Sequence, residues 1–422
     1  MHFKSLLFCD ATNRFYIYTI DINMNKRLSK IALMALTSLG VCLSTEQVLA
    51  GGAISTTTIN TINTAVPFLR IAPDARSGAM GDVGVALSED ANSIFYNPAK
   101  LAFAQKNMAM AATYTPWLKA LNINDIYLTY LSAYKKVGKN QAIGASLRYF
   151  SLGDITFTNY QGDAIGNFRP REMSFDIDYS RLLSKHLSVG LAMRYIYSNL
   201  AAGQTVNGAQ VRSANGVAAD LSMYYWKNVK LGDQKAKWSL GSNVSNIGTK
   251  MTYTRSAVNK DFLPANLGIG TALKMDIDKY NTVEFALDMN KLLVPTPALA
   301  SDSITSYQSA SPITAAIHSF NDAPGGMSEE FREINYSAGV EYWYNNLFAL
   351  RSGYFYENPT KGNRQYMTFG MGIHYTVFNF NFSYLVAANK GAGQTSPLNN
   401  TLRFSLLFDF NAMAADEKPI NP

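Results

Sequence analysis

Few residues in this chain have chemical reach, and those that do are scattered. His186, His318 and His374 are the histidines in its body, and none stands at metal-ligand spacing from another. A transition-metal centre needs such a cluster. Gly268-Ile269-Gly270 lies inside an alternating segment with no helix after it, so it is no phosphate loop. A Gly-x-Ser-x-Gly elbow does not occur. Asp176 and Asp178 share one side of a strand pattern and could pair for acid/base work. The same spacing suits a polar wall, which is the preferred reading. No catalytic, metal-binding or cofactor-binding residue is assigned, and a non-enzymatic role is expected.

The elements that would position these residues are strands. From about residue 107 the hydrophobic period is two. Met173, Phe175, Ile177 and Tyr179 alternate with Ser174, Asp176, Asp178 and Ser180. Val283, Phe285, Leu287 and Met289 oppose Glu284, Asp288 and Asn290, and Phe378, Phe380, Phe382 and Tyr384 oppose Asn379, Asn381 and Ser383. About fourteen such segments start near 107, 124, 140, 171, 186, 214, 236, 264, 280, 332, 346, 365, 377 and 400. About ten tilted residues span a bilayer as a strand.

The connections alternate in length. Short ones fall at Lys136–Lys139, Ser184–Lys185, Val229–Lys235, Ile277–Lys279, Asn345–Asn346 and near Val377; long ones include 153–170, 199–213, 249–263, 292–331 and 388–399. Tight periplasmic turns and long outer loops are the mark of an outer-membrane barrel. Trp226 and Trp238 flank one short turn, Trp343 another, and Trp117 the first outer loop, as interface aromatics would. The expected fold is all-β: a transmembrane antiparallel β-barrel of about 14 strands over 107–410, with an N-terminal plug and a tail at 411–422.

The start of the chain reads as a leader. Met24-Asn25-Lys26-Arg27 with Lys30, the apolar run Ile31 to Leu43, and Val48-Leu49-Ala50 make a signal peptide at 24–50, with Gly51 next. Residues 1–23 read as a mis-called extension ahead of Met24. Removal of 1–50 takes away both cysteines, Cys9 and Cys42, and with them disulfides or a thiol nucleophile. It also takes five of 37 basic and three of 30 acidic residues, leaving 32 against 27, a net of +5. With no basic block, nucleic acid is not an expected partner.

Residues 51–106 are too polar and glycine-rich for a strand. Gly78, Gly81 and Gly84 recur at three-residue spacing, which lets backbone approach other surfaces closely. Asn97 before Pro98 reads as a helix N-cap opening a short helix through Ala104, and Asp74 as the cap of another turn. Lying ahead of the first strand, this plug is expected to start on the periplasmic side, held by a lumen carrying Asp176, Asp178, Glu284, Asp288, Asn379 and Asn381. Loop 292–331 is the longest connection. Its apolar residues Leu292, Leu293, Val294, Ile313 and Ile317 are candidates for contact with a partner, or for folding back over the barrel mouth.

The stretch FLRIAPDARSGAMGDVGVALSEDANSIFYNPAKLAF at 68–103 resembles the signature of the PorV (LptO) family. These are type IX secretion system outer-membrane proteins of Bacteroidota, within the fatty-acid transporter (FadL)-like barrels. The resemblance is densest at Pro73, Asp74 and Arg76, at Gly78, Gly81 and Asp82, and at Asn97 and Pro98, and covers about forty residues at motif level. It implies an adaptor that meets a SprA/Sov-type translocon barrel, cargo bearing a type IX C-terminal domain, and a PorU-type sortase and attachment complex, in outer-membrane lipid. The competing expectation is a FadL-like transporter of hydrophobic small molecules, which calls for an apolar pocket between plug and wall. A third, a structural barrel for surface or motility assemblies, shares the fold.

Overall fold

The computed structural model describes residues 6–9, 15–18 and 59–410, apart from 159–160, 207–208, 233, 255–259, 298–308 and 389–397. The leader at 24–50 and the tail at 411–422 lie outside the described residues. Leu6–Cys9 and Phe15–Tyr18 form a small antiparallel hairpin, a unit of its own.

Fourteen strands close into one antiparallel barrel. They are β1 Met108–Pro116, β2 Ile126–Lys136, β3 Gln141–Leu152, β4 Arg171–Leu182, β5 Leu187–Asn199, β6 Ala214–Leu231 and β7 Gln234–Gly248. The second half runs β8 Asn266–Asp276, β9 Asn281–Leu292, β10 Ile334–Tyr344, β11 Phe348–Tyr356, β12 Gln365–Tyr375, β13 Phe378–Ala387 and β14 Thr401–Phe410. Each pairs with its sequence neighbours, and β14 pairs with β1, Phe404 opposite Tyr114. Closure leaves no unpaired edge. Every strand starts within two residues of its place in the sequence reading.

At one end the turns span two to four residues; at the other the loops span eight or more. Asn345 and Asn346 show why a turn can be so tight: both adopt left-handed backbone, φ 51 and 52, which asparagine tolerates and which suits strand twist. Long loops carry structure of their own, including a hairpin of Ile155–Thr158 with Ala164–Phe168.

The barrel is apolar outside and polar inside. Ile177, Leu191, Met193 and Leu287 are exposed on the outer wall, while Asp176, Asp178, Asp220, Glu284 and Asp288 are buried in the lumen. Strand parity places the tryptophans differently from the sequence expectation. Trp226 shares the inward face of Tyr224 and meets Phe103 of the plug. Trp343 turns inward with Glu341 and lies 5.4 Å from the Arg351 guanidinium. Trp117 packs on the cluster around Val66 and Phe68. Only Trp238 looks outward, bonded to Thr271.

Residues 59–106 fill the lumen, but the plug starts at the long-loop mouth and not at the short-turn mouth, where the sequence placed its start. The Asn60 backbone N–H donates to Thr360, the Asn60 side chain to Pro297, and the Ala65 N–H to Phe262, all in long loops. At the other end Lys136, beside a short turn, donates to the Ala104 carbonyl. The segment therefore runs the length of the lumen. The strand pattern fixed only where residue 107 sits, and a chain this long reaches either mouth.

Candidate functional site: plug lock and outer loop

The plug is built from short capped turns. Pro73 is buried just ahead of α1, Ala75–Gly78. The Asp74 carboxylate caps α1 by accepting from the Ser77 N–H at 2.9 Å and also accepts from the Tyr96 hydroxyl at 2.8 Å. Tyr96 ends α2, Ser93–Tyr96. Asn97 then caps a 3-10 turn over Pro98–Phe103, with Pro98 in its first position. The Asn97 side chain donates to Val85 within the plug and to Met223 on the wall. One residue thus ends one turn, opens the next and fixes both to the barrel.

Arg76 is the central fastening. Its guanidinium donates to Glu341 through Nε at 2.9 Å and Nη2 at 2.7 Å, to Glu284 at 3.2 Å, and to Asp90 at 3.1 Å. Arg351 backs Glu341 at 2.6 Å. Such forked, charge-assisted bonds fix direction as well as distance. Asp82 accepts from the Tyr366 hydroxyl at 2.5 Å and lies 3.3 Å from Arg403. Asp288 on β9 accepts from the N–H groups of Gly84 and Val85 at 2.6 and 2.9 Å.

Glycine brings plug and wall within reach of these bonds. Gly81, at φ 72, has the Tyr354 backbone where a Cβ would be, 2.5 Å away, and Gly78 lies under the Arg403 side chain. The wall answers in kind: a Cβ on Gly339 or Gly353 would strike Met80, and one on Gly241 would strike the Val85 carbonyl. Glu341, Arg351, Arg403 and these wall glycines went unassigned in the sequence. Their signal was an acid, a base or a glycine at an inward strand position.

Between plug and wall lies a cavity of about 90 Å³, bordered by Arg70, Asp82, Tyr96, Asn243, Asp288 and Arg364 among others. Its lining is mixed, with Leu69, Val85, Phe95 and Phe355 beside the polar groups, and its size suits a few waters.

The long outer loop divides in two. Leu293 and Val294 are buried with Phe262, Ala265, Ala315 and Ala316, and Leu292 ends β9 half-buried. Leu293 and Val294 are therefore not partner-facing as the sequence suggested; their apolar surface is spent in seating the loop. Ile313 and Ile317 stand 65% and 66% exposed on α3, Pro312–His318, and Phe320, Met327 and Phe331 are exposed beside them in sequence. Beneath runs an ion-pair network. Lys291 meets Glu330 and Glu333, and Lys361 meets Glu329 and Glu333, at 2.5 to 2.9 Å. All three acids lie on or just after α4, Met327–Arg332. Burial, with Glu330 and Glu333 close by, pushes the Asp322 carboxyl up to about 6. Burial acts most strongly on Glu329 and raises it, but the Lys361 hydrogen bond and charge, with hydrogen bonds from Gly325 and Asn60, together outweigh burial and hold the acid below its ordinary value.

Among the described residues no group of three or more His, Cys, Asp or Glu is placed to hold a metal ion. His186 lies against Trp226, His374 against the Asn346 carbonyl, and His318 ends α3.

The family model described as Type IX secretion system protein PorV matches residues 54–299, the plug and the barrel through β9. The chain belongs to this family. As a PorV-family barrel it is an outer-membrane component of type IX secretion. The exposed half of the outer loop falls beyond the matched span. No curated protein matches in sequence. Among solved structures, the chain is similar to the Pseudomonas putida toluene transporter TodX, at 14% identity and TM-score 0.46 over 80% of this chain and 98% of that one. It is similar to the Ralstonia pickettii toluene transporter TbuX at 10% and 0.45, over 80% and 98%. A Pseudomonas aeruginosa FadL homologue follows at 8% and 0.38, over 83% and 100%.

Proposed function

We propose that this PorV-family barrel is a non-enzymatic adaptor, exported by the leader at 24–50. It binds the C-terminal domain of cargo at a SprA/Sov-type translocon barrel and passes that cargo to a PorU-type attachment complex. The observation that carries the reading is the outer loop. Ile313, Ile317, Phe320, Met327 and Phe331 are left exposed on a segment that buried ion pairs otherwise hold in place. An apolar surface kept rigid and uncovered marks a place for a protein partner. The transporter reading expects an apolar pocket between plug and wall; the cavity there is small, about 90 Å³, and mixed in its lining, and the apolar crevice of about 480 Å³ is bordered by the exposed residues Ile269, Leu287, Met289, Tyr336 and Tyr354.

Deletion of the gene, followed by comparison of surface and medium proteomes with the parent, tests the proposal. Proteins bearing a type IX C-terminal domain are expected to leave both fractions and accumulate behind the membrane or on the translocon. Normal export together with reduced uptake of a hydrophobic compound would overturn it in favour of transport.

A further inference from the structure

The path of the plug has a topological consequence. Between Asn60 and Ala65 the chain is tied at several points to the long-loop end of the barrel. Asn60 donates to the Pro297 carbonyl at 3.0 Å and to Glu329 Oε1 at 3.1 Å, and its own N–H donates to Thr360 at 3.0 Å. Ile62 packs on the cluster of Phe262, Leu293 and Val294. The Ala65 N–H donates to Phe262 at 2.9 Å. Every one of these partners lies in 249–265, 293–333 or 357–364, the loops at one mouth. Ile59, next in line, is 73% exposed. From there the chain descends past Arg76 and Asn97 to Ala104 at the opposite mouth.

We propose that the plug enters the lumen from the outer mouth of the barrel, so that Ile59 is displayed at the cell surface. There, residues 60–65 act as a strap across the base of the longest loop. Asn60 bridges the two limbs of that loop, Pro297 on one and Glu329 on the other. The inference rests on the orientation used above, long loops outward and short turns inward.

Single cysteines test it, in a chain whose Cys9 and Cys42 are replaced by serine. Ile59→Cys is compared with Ile313→Cys on the outer loop and Lys279→Cys in a short turn, using a membrane-impermeant maleimide on intact cells. Asn63→Cys, also exposed, serves as a second reporter should I59C fail to insert. The expected result is that I59C or N63C labels to the same extent as I313C, while K279C labels only after the outer membrane is permeabilised. Labelling of I313C alone on intact cells would overturn the proposed path of the N-terminal chain and leave the orientation standing. Labelling of K279C without I313C and I59C would overturn the orientation and this inference together.

Discussion

The plug and the outer loop both use buried ion pairs, yet they put them to different ends. In the lumen, Arg76 meets Glu341 and Glu284, and glycine lets plug backbone approach wall backbone. On the loop, Lys291 and Lys361 hold Glu329, Glu330 and Glu333 beneath helices whose outer residues stay bare. The first arrangement seats the plug in the barrel; the second leaves apolar side chains exposed. Charge burial fixes a position in either case, and what differs is whether the apolar residues nearby are covered.

Five changes break or sharpen that contrast. The largest effect is expected from Gly81→Val. Gly81 combines φ 72 with the Tyr354 backbone 2.5 Å from any Cβ, so the substitution should abolish the folded, heat-modifiable barrel on gels. Next is Arg76→Ala, which leaves Glu341 and Glu284 buried without their plug cation; a loss of about 3–5 kcal/mol is expected in denaturant unfolding in detergent. Asn60→Ala should open the outer loop alone. It leaves acceptors unpaired at a cost of about 1–3 kcal/mol, read as faster hydrogen exchange in the loop with an unchanged barrel midpoint.

Asp322 gives a smaller, pH-dependent effect. Its folded value, about 6, lies above the unfolded range near ~4, so its ionisation opposes loop packing. That penalty is present above pH 6 and disappears as pH falls from 6 towards ~4. Protease cleavage of the loop should therefore slow on going from about pH 7 to about pH 5 in the native protein. In Asp322→Asn cleavage should be slow throughout, and a native rate flat with pH would contradict the assignment. The smallest change in stability, within about 0.5 kcal/mol, is expected for the Ile313→Ser, Ile317→Ser pair. The same pair should reduce recovery of cargo with the barrel in pull-downs, and undiminished recovery would remove the loop from the partner surface.

Local pattern accounts for much of this protein. Alternation such as that of 173–180 depends on neighbouring residues alone, and it placed the starts of all fourteen strands to within two residues. Loop parity set the two ends of the barrel. The caps at Asp74 and Asn97 are equally local, since a side chain bonding two or three residues on leaves its mark in sequence. Trp226 was also within reach, because its parity with Tyr224 already pointed inward.

Tertiary structure alone decided the rest. Arg76 and Glu341 are 265 residues apart, and no periodic signal links a residue of the plug to a position on the wall of a barrel that closes only when β14 meets β1. Nor could the pattern separate Leu293 and Val294, which are buried, from Ile313 and Ile317, which are not: all four are apolar residues in one loop, and burial depends on what the fold brings against them. The direction of the plug was undetermined for the same reason. A glycine-rich segment with one end anchored at residue 107 can lie either way, and the bonds of Asn60 to loops more than two hundred residues away settle which.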